Sequence, residues 1–164
     1  MEGIRAAEAL DSGGDDESGS EGDRRAVKAL VRFAEARDEE TMADVPVGRN
    51  GLWLGLADRL MVRRSARELA DPKVWRLRAK LFRAYIGPFS ALDLLADSGP
   101  TVISVGSHPH CASPPVPPPA DVAHLRRVSV QPRDIESCLQ WFTVDLFLTP
   151  GRRIAAVTLD LWEP

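Results

Sequence analysis

What this chain lacks narrows its function before any motif does. Two cysteines and three histidines in 164 residues are too few for the disulfide frameworks of small secreted domains, so free thiols are expected. No stretch approaches the roughly 18 consecutive apolar residues that a membrane span needs. The opening "MEGIRAAEAL" has neither a basic start nor a long apolar run. It does not look like a signal peptide, and a cytoplasmic protein is expected. There is no glycine-rich phosphate loop, no H-E-x-x-H and no G-x-S-x-G, which leaves the common nucleotide-hydrolysing, metalloprotease and esterase chemistries without their motifs. No internal repeat is visible.

Hydrophobic residues make up 44% of the chain, enough for a real core. The net charge of −3 conceals an asymmetry. Residues 1–23 hold eight acids against one base, Arg5, whereas the rest holds 16 acids and 20 bases. The stretch "DSGGDDESGSEGD" has little to bury and much glycine and serine. It is expected to be a disordered acidic tail (1–23) ahead of a single α+β domain (24–164).

Along that domain, Asp23 is placed to cap a helix over about 24–37, with Val27, Leu30, Val31 and Ala34 on one face. Segment 51–63 fits a strand or a helix. Ser65 and Glu68 stand at capping-box spacing. Asp71-Pro72 is a second start signal. It heads an expected helix over 72–86, where Val74, Leu77, Leu81 and Tyr85 form a stripe until Gly87-Pro88. Pro88 opens another short helix, to about Ala96. Strands are expected at 101–106 and 122–130, followed by a long hairpin turning at Pro150-Gly151. Helices first and strands last predict an α+β fold. The N-terminal helices would pack on one face of an antiparallel sheet formed mostly by the C-terminal half.

The hairpin defines two faces, because side chains alternate along a strand. An even-numbered loop at Pro150-Gly151 sets Phe142 opposite Leu159, Val144 opposite Val157 and Leu146 opposite Ala155, a wholly apolar face that must meet the helices. The reverse face then carries Trp141 beside Asp160, Thr143 beside Thr158, Asp145 beside Ala156 and Phe147 beside Ile154, with Trp162 beyond. Aromatic walls with a few placed polar groups suit a ligand pocket or a protein-docking surface. The plainer reading is a covered face whose carboxylates are tied to Arg126, Arg127 or Arg152.

The helical first half, the "LWLGLADR…SARELADP" segment and the closing "GRRIAAVTLDLWEP" resemble the NTF2-like superfamily, in particular its SnoaL-type branch. The resemblance covers about residues 24–164 and rests on element order and the final hairpin. It implies a sheet curled around helices into a cone, with an interior pocket for a small molecule or dimerisation through the sheet. No catalytic motif of the family matches this chain.

Residues 107–119 read "SHPHCASPPVPPP". His108, His110 and Cys111 supply three candidate zinc ligands, with His124 or Cys138 to complete a tetrahedral shell. The paired C-x-x-C or H-x3-5-H spacing of structural zinc sites is missing. Beyond this zinc reading no cofactor is predicted. Cys111 with a nearby histidine is also a nucleophile–base candidate. The proline run satisfies P-x-x-P and favours polyproline II, read either as a docking peptide or, in preference, as a stiff connection between strands. Lys73, Arg76, Lys80 and Arg83 would line one side of the 72–86 helix. No nucleic-acid motif accompanies them, so a solvated face is preferred.

Two functional expectations follow. The first is a small-molecule-binding pocket protein of the NTF2-like kind, in its enzymatic form with Asp145 as base and Trp141, Thr143, Phe147, Thr158, Asp160 and Trp162 lining the pocket. The second is a non-enzymatic interaction or dimerisation module that uses the tryptophan-bearing face and the proline-rich loop. The partner is then a small apolar molecule, another protein or a second copy, with no membrane and no nucleic acid.

Overall fold

The computed structural model describes residues 19–81, 84–106, 111 and 116–161, with residues 79–81 and 84–86 through their backbone alone. Helix α1 (Glu21–Ala36) starts earlier than expected because Ser20, not Asp23, is its cap. The Asp23 amide donates to Ser20 Oγ at 3.2 Å, and the Ser20 amide donates to the Asp23 carboxylate at 2.8 Å. This reciprocal box satisfies two of the orphan donors at the helix start. Ala26, Val27, Leu30, Phe33 and Ala34 form the buried stripe. Arg37, at φ 55°, ends the helix with its amide on Phe33 O. A short helix α2 (Glu39–Ala43) follows, capped by Asp38.

The ambiguous segment 51–63 is a hairpin of β1 (Leu52–Leu56) and β2 (Arg59–Arg64). Ser65 and Glu68 do form their capping box, but it heads only a single turn, Glu68–Ala70. Asp71 caps another such turn, Pro72–Trp75.

The expected helix 72–86 is not there. After Trp75 the chain becomes an antiparallel pair, β3 (Arg76–Leu81) and β4 (Ala84–Ser90). Trp75 and Leu77 are buried while Arg76 and Arg78 are exposed, the period of two that a strand imposes. Trp75 donates its indole N–H to Leu69 O at 2.8 Å and packs 5.9 Å from the Phe33 ring. That lock holds the local path extended at the point where the stripe had suggested a helix. Helix α3 (Ala91–Asp97) is capped by Ser90, later than the expected start at Pro88.

The remaining strands are β5 (Thr101–Val105), β6 (Arg126–Pro132), β7 (Phe142–Leu148) and β8 (Ile154–Leu161). They join the first hairpin in one sheet of order β2-β1-β8-β7-β6-β5. The α+β character holds, and the C-terminal half supplies most of the sheet.

The expected purely antiparallel, curved sheet does not hold. Strand β1 pairs in parallel with β8, Leu54 opposite Val157, so the sheet is mixed; it is also flat and open-edged. This overturns the NTF2-like and SnoaL-like reading, whose cone needs a sheet that closes around its helices. The helix side of the sheet is solid as well. Leu30, Phe33 and Leu92 meet Val128, Val130, Val144 and Leu146, all fully shielded from solvent. The interior that a family pocket would occupy is filled by side chains.

From Phe142 to Phe147 the hairpin β7–β8 keeps its two faces but not its expected partners, and beyond that Ile154, expected on the reverse face beside Phe147, joins the helix-side core instead. Phe142 faces Leu161, Val144 faces Leu159 and Leu146 faces Val157. Between Phe147 and Leu148 the register shifts, so Ala155 bulges out and Leu148 pairs with Ile154. The turn spans 149–153 rather than Pro150-Gly151 alone, with the Thr149 amide on Arg153 O. A slip by an even number of residues changes the neighbours and preserves the faces.

Candidate functional site

The reverse face of the sheet is polar in composition and shielded from water. Reading across the strands, Ser104 faces Ser129, Ser129 faces Asp145, Asp145 faces Thr158 and Thr158 faces Gly55. One row over, Arg127 faces Phe147, Phe147 faces Ala156 and Ala156 faces Trp53. Of the residues expected to form a site, Trp141, Thr143, Asp145, Phe147 and Thr158 are all buried, and Asp160 is half-buried. Trp162 lies outside the described residues.

Part of this face is covered by a strap, residues 116–125 of the connection between β5 and β6. It lays Val122 and Leu125 on Phe147 and Ala156. The Val116 carbonyl accepts from Arg127 Nη1 at 3.3 Å. Further back, Cys111 is bonded to Cys138, just ahead of β7. The connection is thus anchored near both ends of β7. Of the proline-rich segment, residues 116–119 are described, and Val116 joins the cover through its carbonyl.

Beneath the strap, Asp145 is fully engaged. Arg127 donates to Asp145 Oδ2 from Nη2 at 2.6 Å and from Nε at 3.1 Å, and Thr143 Oγ1 donates to Oδ1 at 2.8 Å. The guanidinium also lies 5.9 Å from the Phe147 ring centroid. A buried carboxylate needs such a partner, and this one has both oxygens occupied. Two neighbours do not: Ser104 Oγ and Ser129 Oγ are buried without a hydrogen-bond partner. The face is therefore neither an enclosed small-molecule cavity nor an open docking sheet. The family-type pocket expected for this chain is overturned.

The histidine-rich corner resolves in part. His108 and His110 lie outside the described residues. Cys111, expected as a free thiol, a zinc ligand or a nucleophile, is in a disulfide with Cys138, and there is no free cysteine in the chain. Both sulfurs named for the zinc shell are thereby committed to each other, and thiolate chemistry is closed to Cys111 in this state. Among the described residues, no group of three or more His, Cys, Asp or Glu side chains is placed to hold a metal ion. His124 is exposed.

Another surface was not anticipated. Leu139 is 77% exposed on the turn Cys138–Gln140. That turn is held firmly: Leu139 N–H donates to Ser137 Oγ at 3.3 Å, the Glu136 amide donates to Gln140 Oε1 at 2.6 Å, and Cys138 is covalently tied. Beside it lies a depression of about 370 Å³ floored by Leu94, Ile135 and Phe142 and rimmed by Asp93, Asp97 and Asp134. Asp93 also accepts from Arg37 Nη2 at 2.7 Å, which ties the end of α1 to α3. A second depression, of about 520 Å³ between α2 and the Glu68–Ala70 turn, mixes Met42, Val45 and Val47 with Glu39, Arg67 and Arg153. Neither depression reaches Asp145. The sequence flagged Cys138 and Phe142 for other reasons and gave no sign of Leu139, since a single leucine between Cys138 and Gln140 carries no periodic signal.

No helix among the described residues is long and apolar enough to cross a membrane. Comparison of the chain with protein-family models, with curated proteins and with solved structures gives no match.

Proposed function

We propose that this chain is a protein-binding module whose docking surface is Leu139 with the acidic depression beside it. The observation that carries this reading is the exposure of Leu139, 77%, on a turn fixed by a disulfide and two hydrogen bonds. A large apolar side chain held out rigidly loses little conformational freedom on binding, which favours its use as an anchor. The carboxylates of Asp97 and Asp134 beside the apolar side chains of Leu94, Ile135 and Phe142 select the partner by charge, while Asp93 is paired with Arg37. The matching ligand is a protein segment in which lysine or arginine flanks an apolar residue.

The test is an NMR titration of the ¹⁵N-labelled full chain with a short synthetic lysine–leucine peptide, with a glutamate–leucine peptide as control. Amide shifts should concentrate at 93–98 and 134–142. They should weaken as salt is raised and be lost in Leu139→Ser. Equal response to the acidic peptide, or shifts elsewhere that survive Leu139→Ser, would remove the reading. Sedimentation of the free chain reports whether a second copy occupies the surface.

A further inference from the structure

Positive charge is concentrated in one stretch of this chain. Residues 49–78 hold eight of the 21 lysines and arginines but only three of the 24 acids, Asp58, Glu68 and Asp71. Glu68 is drawn to Arg64 at 3.7 Å. Arg59, Arg63 and Arg67 are exposed, with no carboxylate partner among the described residues. Lys73 and Arg76 were expected on a solvated helix face, the ground for setting nucleic acid aside. Arg76 and Arg78 are instead exposed on β3, which lies against β1 and extends the basic stretch.

The frame that carries these charges is stiff. Strand β2 is at one end of the sheet, and β1 is paired on its other side with β8. The two strands of the hairpin approach closely, since a Cβ added at Gly51 or Gly55 would meet the carbonyl of Arg64 or Arg59. On the reverse face Arg63 stands opposite Trp53. Its Nε donates to Asn50 O at 3.1 Å, and its guanidinium lies 5.8 Å from the Trp53 ring centroid. Neither of its Nη nitrogens has a hydrogen bond among the described residues. Trp53 is half-buried and packs on Phe147 and Ala156. A guanidinium fixed in this way presents its outer N–H groups in the fork that matches a phosphate.

We propose that the β1–β2 edge binds single-stranded nucleic acid. Phosphates pair with Arg59, Arg63 and Arg67, and an unpaired base stacks on the Arg63–Trp53 pair. An arginine over an indole is a flat cationic π surface, which fits a base and has no counterpart in a lipid headgroup. A duplex keeps its base faces stacked inside, so the single strand is the form that fits. The inference does not rest on the Leu139 reading, whose surface carries the opposite charge.

The test is fluorescence anisotropy of the full, oxidised chain with a labelled oligothymidylate of about 16 nucleotides, the upper site size of one small platform. Three phosphate contacts predict that affinity falls about 20-fold between about 50 and 200 mM salt. The double variant Arg59→Ala/Arg63→Ala should bind at least about tenfold more weakly and show a shallower salt dependence. Trp53→Leu, and an abasic strand of the same length on the wild type, should each weaken binding about fivefold or more. Trp53→Leu should leave the salt dependence unchanged. Circular dichroism checks the fold of each variant. The arginine variant removes only exposed side chains, so it decides the matter even if Trp53→Leu does not fold.

Four results would overturn the site. Absence of binding at low salt removes it outright. Equal affinity for the abasic strand leaves a plain polyanion surface. Binding that survives the arginine variant puts the contact elsewhere. Binding to phosphatidylserine vesicles without binding to the oligothymidylate assigns the edge to a lipid surface.

Discussion

Asp23 lies at the foot of α1 with its side chain wholly shielded, holding Arg126 through contacts of 2.7 and 3.0 Å and Arg152 at 3.4 Å. Burial works against its charge. The hydrogen bonds from Arg126 and the Ser20 amide, together with the charges of Arg126 and Arg152, outweigh that burial. They hold the carboxyl below its ordinary value of 3.8. Because the folded group ionises more readily than the unfolded one, the unfolded chain binds more protons in the acid range, and stability there rises with pH. The contribution is full above about pH 3.8 and is lost as pH falls through the folded pKa. Asp23→Asn should therefore cost about 2–3 kcal/mol at neutral pH, a value set below that of a fully buried pair because both arginines are partly exposed. Urea unfolding should show the gap between variant and wild type closing in acid, and a gap of constant size would exclude the ion triad as its source. At this scale the sequence was legible in part. Strand alternation placed Thr143, Asp145, Phe147, Thr158 and Asp160 together on the reverse of the hairpin, and Arg127 was among the arginines offered as carboxylate partners. The bond between Cys111 and Cys138 was not legible, because it depends on where a 27-residue excursion returns, and spacing alone does not encode that path.

Among the elements, the β1–β2 hairpin depends on a glycine at its base. Gly51 has φ +83°, and a Cβ added there would run into the Arg64 carbonyl across the pair. Gly51→Ala should cost about 2 kcal/mol or more, since left-handed strain and a backbone clash combine. Thermal unfolding measures this, and a melting temperature within error of the wild type would mean that the hairpin relaxes freely. The hairpin and the false helix at 72–86 teach the same lesson from opposite sides. Val74, Leu77, Leu81 and Tyr85 sit at helical spacing, yet Trp75, Arg76, Leu77 and Arg78 alternate as a strand does. Both periods are present in the sequence. The choice was made by contacts of the Trp75 indole, with Leu69 O six residues back and with the ring of Phe33, and the second of these lies outside any local window. The capping signals at Ser65/Glu68 and Asp71-Pro72 were read correctly and marked turns instead of helices, because a cap specifies a start and not a length. In the β7–β8 hairpin the faces were legible because apolar residues had to share one side. The partners were not, since the bulge at Ala155 and the five-residue turn obey backbone geometry that side-chain pattern does not record.

Taken whole, the molecule is a flat mixed sheet with a solid helical layer on one side and a tethered strap on the other. Its two edges differ. Strand β2 carries Arg59, Arg63 and Arg64, charges that discourage pairing with another chain, whereas β5 is uncharged throughout. The tether also contributes to global stability. Closing a loop between residues separated by 27 positions lowers the entropy of the unfolded chain by an amount worth about 3.5 kcal/mol. Denaturant unfolding of the oxidised chain against the double variant Cys111→Ser/Cys138→Ser should recover most of that difference, with the m-value larger in the variant as its unfolded state expands. Equal stability of the two would mean that native strain cancels the entropic gain.

The parallel pairing of β1 with β8 has a consequence for how the molecule comes into being. Strand β8 lies between β1 and β7, yet it is synthesised after the five other described strands of this sheet. Until it emerges from the ribosome, β1 exposes a row of unsatisfied amides and carbonyls on one flank, and so does β7. The nascent chain therefore cannot mature segment by segment. It waits, with two sticky borders, for a last insertion that joins both halves at once, which makes its folding slow and concentrates its misassembly risk in that interval.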